Sequence, residues 1–447
     1  MIKTWQKSLL PILLACSAHT SALANSDIDK FKQSWTAKGM QLQRTIDINT
    51  PLNQATFVGT HNSYNAKAYQ IPFVRYVDPN QWLSLYDQLE MGVRSIEMDA
   101  HWTYKKNFSQ DILLCHGLSS HLGCGPFDRE FEDGLKEVRD WLKANPNEVI
   151  ILYIERHLDG HEPRLAAELE NYLGPYLYHP STLRPATSNP TSCVSLPGTL
   201  TKADVLKAGK QILVVAKGCD GDNPKYAETD KFKQIWNNDV FAGMGNIPHE
   251  EFSFIDSTVG DFTSFPDCGR QKIFFNDTNH TTPWRIFEDL TILSNIESAP
   301  NKVTVDKMHE LMHCGINLPT MDLLTANDDR LAATIWSWSP NYPQADKGQC
   351  AFYQGGASIE NAACEQVMAG FACRDEHTGD IKAIKQPGTW KDGENFCQSF
   401  AGKTWHFSMP VNGLQMSYLK NGASVAGIAN VWLNYSVDKQ GNWTVNG

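Results

Sequence analysis

Gly92-Val93-Arg94-Ser95-Ile96-Glu97-Met98-Asp99 is an apolar run that ends on two carboxylates. In an extended strand alternate side chains share a face, so Ser95, Glu97 and Asp99 point one way while Arg94, Ile96 and Met98 point the other. Three further runs in the first third of the chain end similarly. Thr56-Phe57-Val58-Gly59-Thr60 leads into His61-Asn62, Ile112-Leu113-Leu114-Cys115 into His116, and Val149-Ile150-Ile151-Leu152-Tyr153-Ile154 into Glu155. Strands buried on both faces read as continuous apolar runs, and in a (β/α)8 barrel the chemistry gathers at their carboxyl ends. The expectation is an α/β fold with a barrel mouth that collects imidazoles and carboxylates.

Between the runs, Phe131, Leu135, Val138 and Leu142 recur at helical spacing and stop at Asn145-Pro146, which predicts the crossover helix of a βαβ unit. Alternation of this kind continues for about the first 320 residues, with further candidate strands over 212–216, 272–275 and 333–338. Beyond Pro340-Asn341-Tyr342-Pro343 the chain changes to short segments broken by Gly and Asn, with Cys350, Cys364, Cys373 and Cys397 and with Trp390, Trp405, Trp432 and Trp443. This reads as a small β-rich, disulfide-containing appendage whose aromatic residues pack and which caps the barrel, with a binding surface for membrane or sugar as the lesser alternative. The division is then an export signal over 1–24, a barrel over 25–343 and the appendage over 344–447.

The signal reading rests on Lys3 and Lys7 ahead of an apolar stretch from Leu9 to Cys16, with Ala22-Leu23-Ala24 as a cleavage site before Asn25. It implies a secreted or periplasmic protein; lipid anchoring through Cys16 is the lesser alternative. No other run reaches transmembrane length. Apart from Cys16 there are ten cysteines, an even number suited to disulfides in an oxidising compartment. A bridge between Cys115 and Cys124 would close the loop after His116.

With 447 residues, 41% hydrophobic and 20% charged, the chain can bury an ordinary core. Its net charge of −11 argues against long-range attraction to nucleic acid or anionic membranes. Any lipid contact is therefore local and peripheral.

Two carboxylates on one strand face resist joint ionisation unless a cation lies between them. A lone one would more often pair with an arginine. Asn62, Glu97, Asp99 and Glu155 form an all-oxygen set suited to Ca²⁺ or Mg²⁺. His101 shares the parity of Asp99, and His157 that of Glu155, so a site using these imidazoles would favour Zn²⁺ instead. Calcium is preferred. Trp102 and Tyr104, just beyond the carboxylates, are candidates to stack on a ligand ring or hold a quaternary ammonium.

Gly59-Thr60-His61-Asn62-Ser63, Arg94-Ser95-Ile96-Glu97-Met98-Asp99, Cys115-His116-Gly117 and the run from Val149 to His157 resemble, in order and spacing, the catalytic X region of metal-dependent phosphoinositide-type phospholipases C. The likeness is sharp over residues 52–160. Gly315-Ile316-Asn317-Leu318-Pro319, Trp336-Ser337-Trp338 and the cysteine-containing tail resemble a secreted microbial branch. This resemblance implies a distorted TIM barrel, His61 and His116 as the catalytic pair, and Asn62, Glu97, Asp99 and Glu155 as ligands of one divalent cation. It also implies a monomeric phospholipase C that releases diacylglycerol from phosphatidylinositol, phosphatidylcholine or phosphatidylglycerol at a membrane or micelle surface. Two histidines and a cation meet the needs of phosphodiester cleavage: a nucleophile deprotonated, a leaving alkoxide protonated, phosphoryl charge neutralised. Unlike the animal enzymes, this chain has no recognisable second catalytic region or lysine cluster for additional phosphates.

The nearest alternative is glycerophosphodiesterase or phospholipase D-like cleavage on the same barrel. His309-Glu310-Leu311-Met312-His313 is a literal H-E-x-x-H, which by itself suggests a zinc peptidase. No glutamate follows between His313 and Cys350 to act as a third ligand, so an amphipathic helix with incidental histidines is expected. A non-catalytic lipid-binding protein is disfavoured because every candidate catalytic group is present. Serine-hydrolase, P-loop and dinucleotide motifs are missing.

Overall fold

The computed structural model describes residues 26–178, 195–196, 199–216, 243–244, 255–258, 262–269, 284–292 and 302–445. Up to Met321 the described strands are β1 (Gly59–Thr60), β2 (Ser95–Tyr104), β3 (Gln110–Leu114), β4 (Arg129–Glu130), β5 (Ile150–His157), β6 (Ser195–Leu196), β7 (Ile212–Ala216), β8 (Gly243–Met244), β9 (Ile255–Thr258), β10 (Trp284–Phe287) and β11 (Leu318–Met321), and all but β6 and β8 join one sheet. Strands β6 and β8 pair only with each other. The parallel neighbours run β7, β5, β2, β1, β11, β10, β9. That order is the cyclic order of a barrel. A pairing that would close β7 onto β9 is not found among the described residues, so the (β/α)8 expectation is met as a parallel α/β sheet of barrel order rather than as a closed eight-stranded barrel.

Continuous apolar runs explain the parallel strands. Ile150, Ile151, Leu152 and Ile154 are fully buried, as are Ile96 and Met98, because helices cover the outer face. The helix Phe131–Ala144 is the expected crossover, with Phe131, Leu135, Val138 and Leu142 inward. Gly134 lets that helix approach the strands: a Cβ there would lie 2.9 Å from Leu114 and 3.3 Å from Met98.

Two strand expectations need correction. Ile112-Leu113-Leu114 lies in β3, which runs antiparallel to the outer half of the ten-residue β2 and is not a barrel strand. The apolar run arises because this hairpin folds back over the core. The 333–338 segment is not a strand either: Ala333 ends the helix Asp329–Ala333, and Trp336 and Trp338 are buried loop residues. Burial of indoles gave the segment its strand-like character. The 272–275 candidate lies outside the described residues, as does the signal segment 1–24.

The C-terminal segment forms a second sheet of seven strands between Cys350 and Val445. Cys350–Cys364 and Cys373–Cys397 are bridged within it, while Cys115–Cys124 and Cys268–Cys314 staple the first sheet's loops. Trp432 is fully buried and donates from Nε1 to the Gly388 carbonyl at 3.0 Å, so its role is packing. One apolar cluster continues from the barrel strands through Trp338 to Val431 and Tyr435. Among the described residues no helix is long and apolar enough to cross a membrane.

Candidate functional site

The site begins where β1 ends. Asn62 adopts φ +43°, a left-handed conformation that Asn tolerates better than most residues. The sharp turn aims its backbone N–H at Glu97, donating to Oε2 at 3.1 Å, and, with the amide oriented to donate, sets its side-chain nitrogen 3.1 Å from Asp99 Oδ2. Glu97 and Asp99 stand on the same face of β2 and are buried, while register pairs Asp99 with Glu155 on β5. One carboxylate oxygen from each of Glu97, Asp99 and Glu155 lies within 4.8 Å of the others. That is the crowding expected of a hard-cation site.

The surroundings raise the cost of leaving these charges unscreened. Burial, then Glu155 and Glu97, push the Asp99 carboxyl well above its ordinary range, while Tyr64 donates to its Oδ2 at 2.9 Å. Burial also raises Glu97, opposed by Arg285, whose guanidinium is ion-paired to Oε2. Among the described residues, arginine pairing thus holds for Glu97 and not for Asp99. Arg285, on β10, is itself buried and lies over the rings of Tyr153 and Phe287 at 4.9 and 4.8 Å.

His61 is buried with its ring 5.0 Å from Phe287. Its Nδ1 lies 3.4 Å from Asp322 Oδ1. Asp322 is fixed in turn by Asn80 Nδ2 at 3.0 Å, the Leu290 N–H at 2.8 Å and Gln81 Nε2 at 3.2 Å. Gln81 also donates to the carbonyls of His61 and Met321, tying β1's end to β11's. Burial lowers the His61 pKa, but the charges of Asp322 and Glu97 outweigh it and lift the imidazolium to about 9.

His116 follows β3 and is exposed. Crowding by surrounding protein lowers its pKa despite that exposed edge, and the positive charge of His61 adds to the shift. The two imidazoles therefore share one electrostatic field. The bridge to Cys124 closes the loop after it.

The remaining candidates fall elsewhere. His101 is wholly buried, with Nδ1 3.0 Å from His121 Nδ1 and its ring 4.3 Å from that of His157. His157 Nε2 lies 3.2 Å from Glu155 Oε1, at the border of the carboxylate cluster. Trp102 stacks on His161 at 3.9 Å, and Tyr104 sits exposed at the far end of β2. Of the H-E-x-x-H motif, Glu310 is ion-paired to Lys307 and accepts from Ser264 at 2.7 Å on the helix Val305–His313, whose buried face is Met308, Leu311 and Met312. The amphipathic-helix expectation accounts for that segment.

Asp322, Arg285, Tyr64 and Asn80 were not legible as site residues. Asp322 carried the relevant signal: Leu318-Pro319-Thr320-Met321 is one more apolar run that ends on an acid.

A family model described as the Rv2075c PI-PLC-like domain matches residues 14–328. Uncharacterized protein Rv2075c of Mycobacterium tuberculosis (strain ATCC 25618 / H37Rv) is 26% identical over 430 residues, 91% of this chain and 81% of that protein. The PI-PLC X domain-containing protein At5g67130 of Arabidopsis thaliana is 34% identical over 133 residues, 28% of this chain and 29% of that protein. Among solved structures, the phosphatidylinositol-specific phospholipase C from Listeria monocytogenes aligns with 17% identity and a TM-score of 0.38, covering 66% of this chain and 98% of that one.

Proposed function

This chain belongs to the Rv2075c PI-PLC-like domain family, and from that membership we propose that it is a metal-dependent phospholipase C. It cleaves the bond between phosphorus and the glycerol oxygen of phosphatidylinositol, phosphatidylcholine or phosphatidylglycerol, releasing diacylglycerol and a phosphorylated headgroup. The observation that carries this reading is the convergence of the Glu97, Asp99 and Glu155 oxygens beside a histidine backed by Asp322.

His61 turns Nδ1 to Asp322, which leaves Nε2 to protonate the departing glycerol alkoxide. His116, exposed after β3, accepts the proton of the nucleophile, which is water or a neighbouring headgroup hydroxyl. Asn62, Glu97, Asp99 and Glu155 would hold a divalent cation, calcium before zinc, which would supply positive charge to offset that of the phosphoryl oxygens. The donor set fits such an ion, since three carboxylates supply hard oxygen ligands, and the Asn62 amide, which donates to Asp99 here, would turn its oxygen to the ion. Arg285 holds Glu97 in place from behind.

A rim of exposed apolar side chains supports action at a lipid surface. Phe73 is 97% exposed and Leu122 72%, on the loops that follow β1 and β3. The two loops touch, Arg75 donating to the Phe127 carbonyl at 3.3 Å. We further propose export to the periplasm or medium, and a catalytic unit over 25–343 with an appendage over 344–447.

The test is a lipid panel assayed after chelation, with separate Ca²⁺ and Zn²⁺ add-back and ³¹P detection of products. Diacylglycerol and metal-restored turnover are expected. Phosphatidic acid would assign the cut to the other ester bond, and full turnover by His61→Ala or His116→Ala would remove the catalytic pair.

A further inference from the structure

The second sheet holds a pocket of about 660 Å³, lined among others by Arg374, Trp390, Lys391, Glu394, His406 and Asn434. This size suits a small-molecule site, typically about 300–1,000 Å³. Arg374 stands on the strand Met368–Asp375, directly across from His406 on the strand Trp405–Phe407. Its guanidinium is half-buried, yet among the described residues no carboxylate pairs with it. A guanidinium withdrawn from water normally recovers its hydration through a fork of hydrogen bonds to an anion.

The acids nearby are already engaged. Glu394 binds His406 Nδ1 at 2.7 Å and accepts the Phe407 N–H at 2.9 Å. Glu376 lies 3.4 Å from His406 Nε2. Glu376 and Glu394 line the same pocket but are turned to His406, so among the described residues Arg374 and the exposed Lys391 are the pocket cations that no carboxylate pairs with. The walls are fixed in advance: Cys373, next to Arg374, is bridged to Cys397, and Trp390 is anchored by its Nε1 donating to the Leu433 carbonyl at 2.8 Å. Asn434 is held by donating to the Phe407 carbonyl at 2.9 Å.

We propose that this pocket is an anion-binding site, in which Arg374 and Lys391 take the phosphate group of a small phosphorylated ligand or of a lipid headgroup whose remainder lies against Trp390. It stands apart from the carboxylate cluster of the barrel and does not depend on the barrel's reaction.

The test uses the full chain and calorimetric titration with inorganic phosphate, alongside co-sedimentation with phosphatidylglycerol or phosphatidylcholine vesicles. Arg374→Gln is expected to weaken one class of anion binding by about ten-fold or more, and Lys391→Gln several-fold. Arg374→Lys recovers only part, because an ammonium lacks the planar fork. Binding that survives His116→Ala and is lost in Arg374→Gln supports the site. Phosphate binding points to a soluble ligand, and binding seen only with phosphatidylglycerol vesicles points to a headgroup. The proposal is overturned if all anion binding disappears in His116→Ala, if Arg374→Gln and Lys391→Gln bind as the parent does, or if neither probe binds the parent. Lys391, being exposed, keeps the test valid should Arg374→Gln fail to fold.

Discussion

His61 and Asp322 face each other across the ends of two neighbouring parallel strands, Nδ1 to Oδ1 at 3.4 Å. The carboxylate is held by three other donors, so it fixes which nitrogen of the imidazole carries the proton and which is turned outward. Asp322→Asn keeps the size of the side chain and removes its preference for an N–H partner. Turnover should drop by roughly two orders of magnitude with little change in KM. An unchanged kcat would show that Asp322 only packs.

The three carboxylates Glu97, Asp99 and Glu155 repel one another within 4.8 Å. In chelator, Asp99→Asn should raise the unfolding free energy by roughly 1 to 3 kcal/mol, the repulsion expected at such separations. The same change should abolish the upward shift in melting temperature that Ca²⁺ gives the parent. Scanning calorimetry with and without Ca²⁺ measures both. A calcium-induced shift that persists in the variant would place the cation elsewhere.

Glu148 couples the covering layer to β2 through Arg94 at 2.9 Å and Arg44 at 3.2 Å. Burial by itself would raise its pKa, but the two guanidinium charges overcome it and hold the carboxyl at about 2. Of the two, the Arg94 charge lowers the carboxyl more; Arg44, crowded by burial and by Arg94, is itself lowered to about 10. A depressed folded pKa contributes stability above the unfolded value near 4.5 and loses it as the pH falls toward 2. Denaturant titrations across that window should show a loss on the order of 3 kcal/mol that Glu148→Gln lacks. Parallel pH profiles for parent and variant would refute the assignment.

Phe73→Ser and Leu122→Ser remove apolar surface from the rim without touching the core. Turnover on vesicles should fall about ten-fold or more, because burying each side chain in a lipid interface contributes about 1.5–3 kcal/mol. Turnover on a monomeric short-chain substrate should not change. Equal losses on both substrates would mean the loops act on the site and not on the interface.

Much of the site was legible because strand chemistry is local. The period of two places Glu97 and Asp99 on one face whatever surrounds them, and an apolar run that ends on His61 or Glu155 marks a strand tip. The helix Phe131–Ala144 was equally plain from its spacing. The run before His116 misled, because an antiparallel hairpin strand folded onto a core is as apolar as a parallel one. Burial fixes composition, not direction.

The sequence by itself determined the α/β alternation and the parity that sets Glu97 and Asp99 on one strand face. Tertiary structure alone decided that Asp322 backs His61, that Arg285 claims Glu97, that Trp102 stacks on His161, and that Arg374 lines a pocket in the second sheet. Asp322 follows His61 by 261 positions and Arg285 follows Glu97 by 188. Pairings over such distances are selected by strand order and register across the whole sheet, which no local pattern of residues encodes.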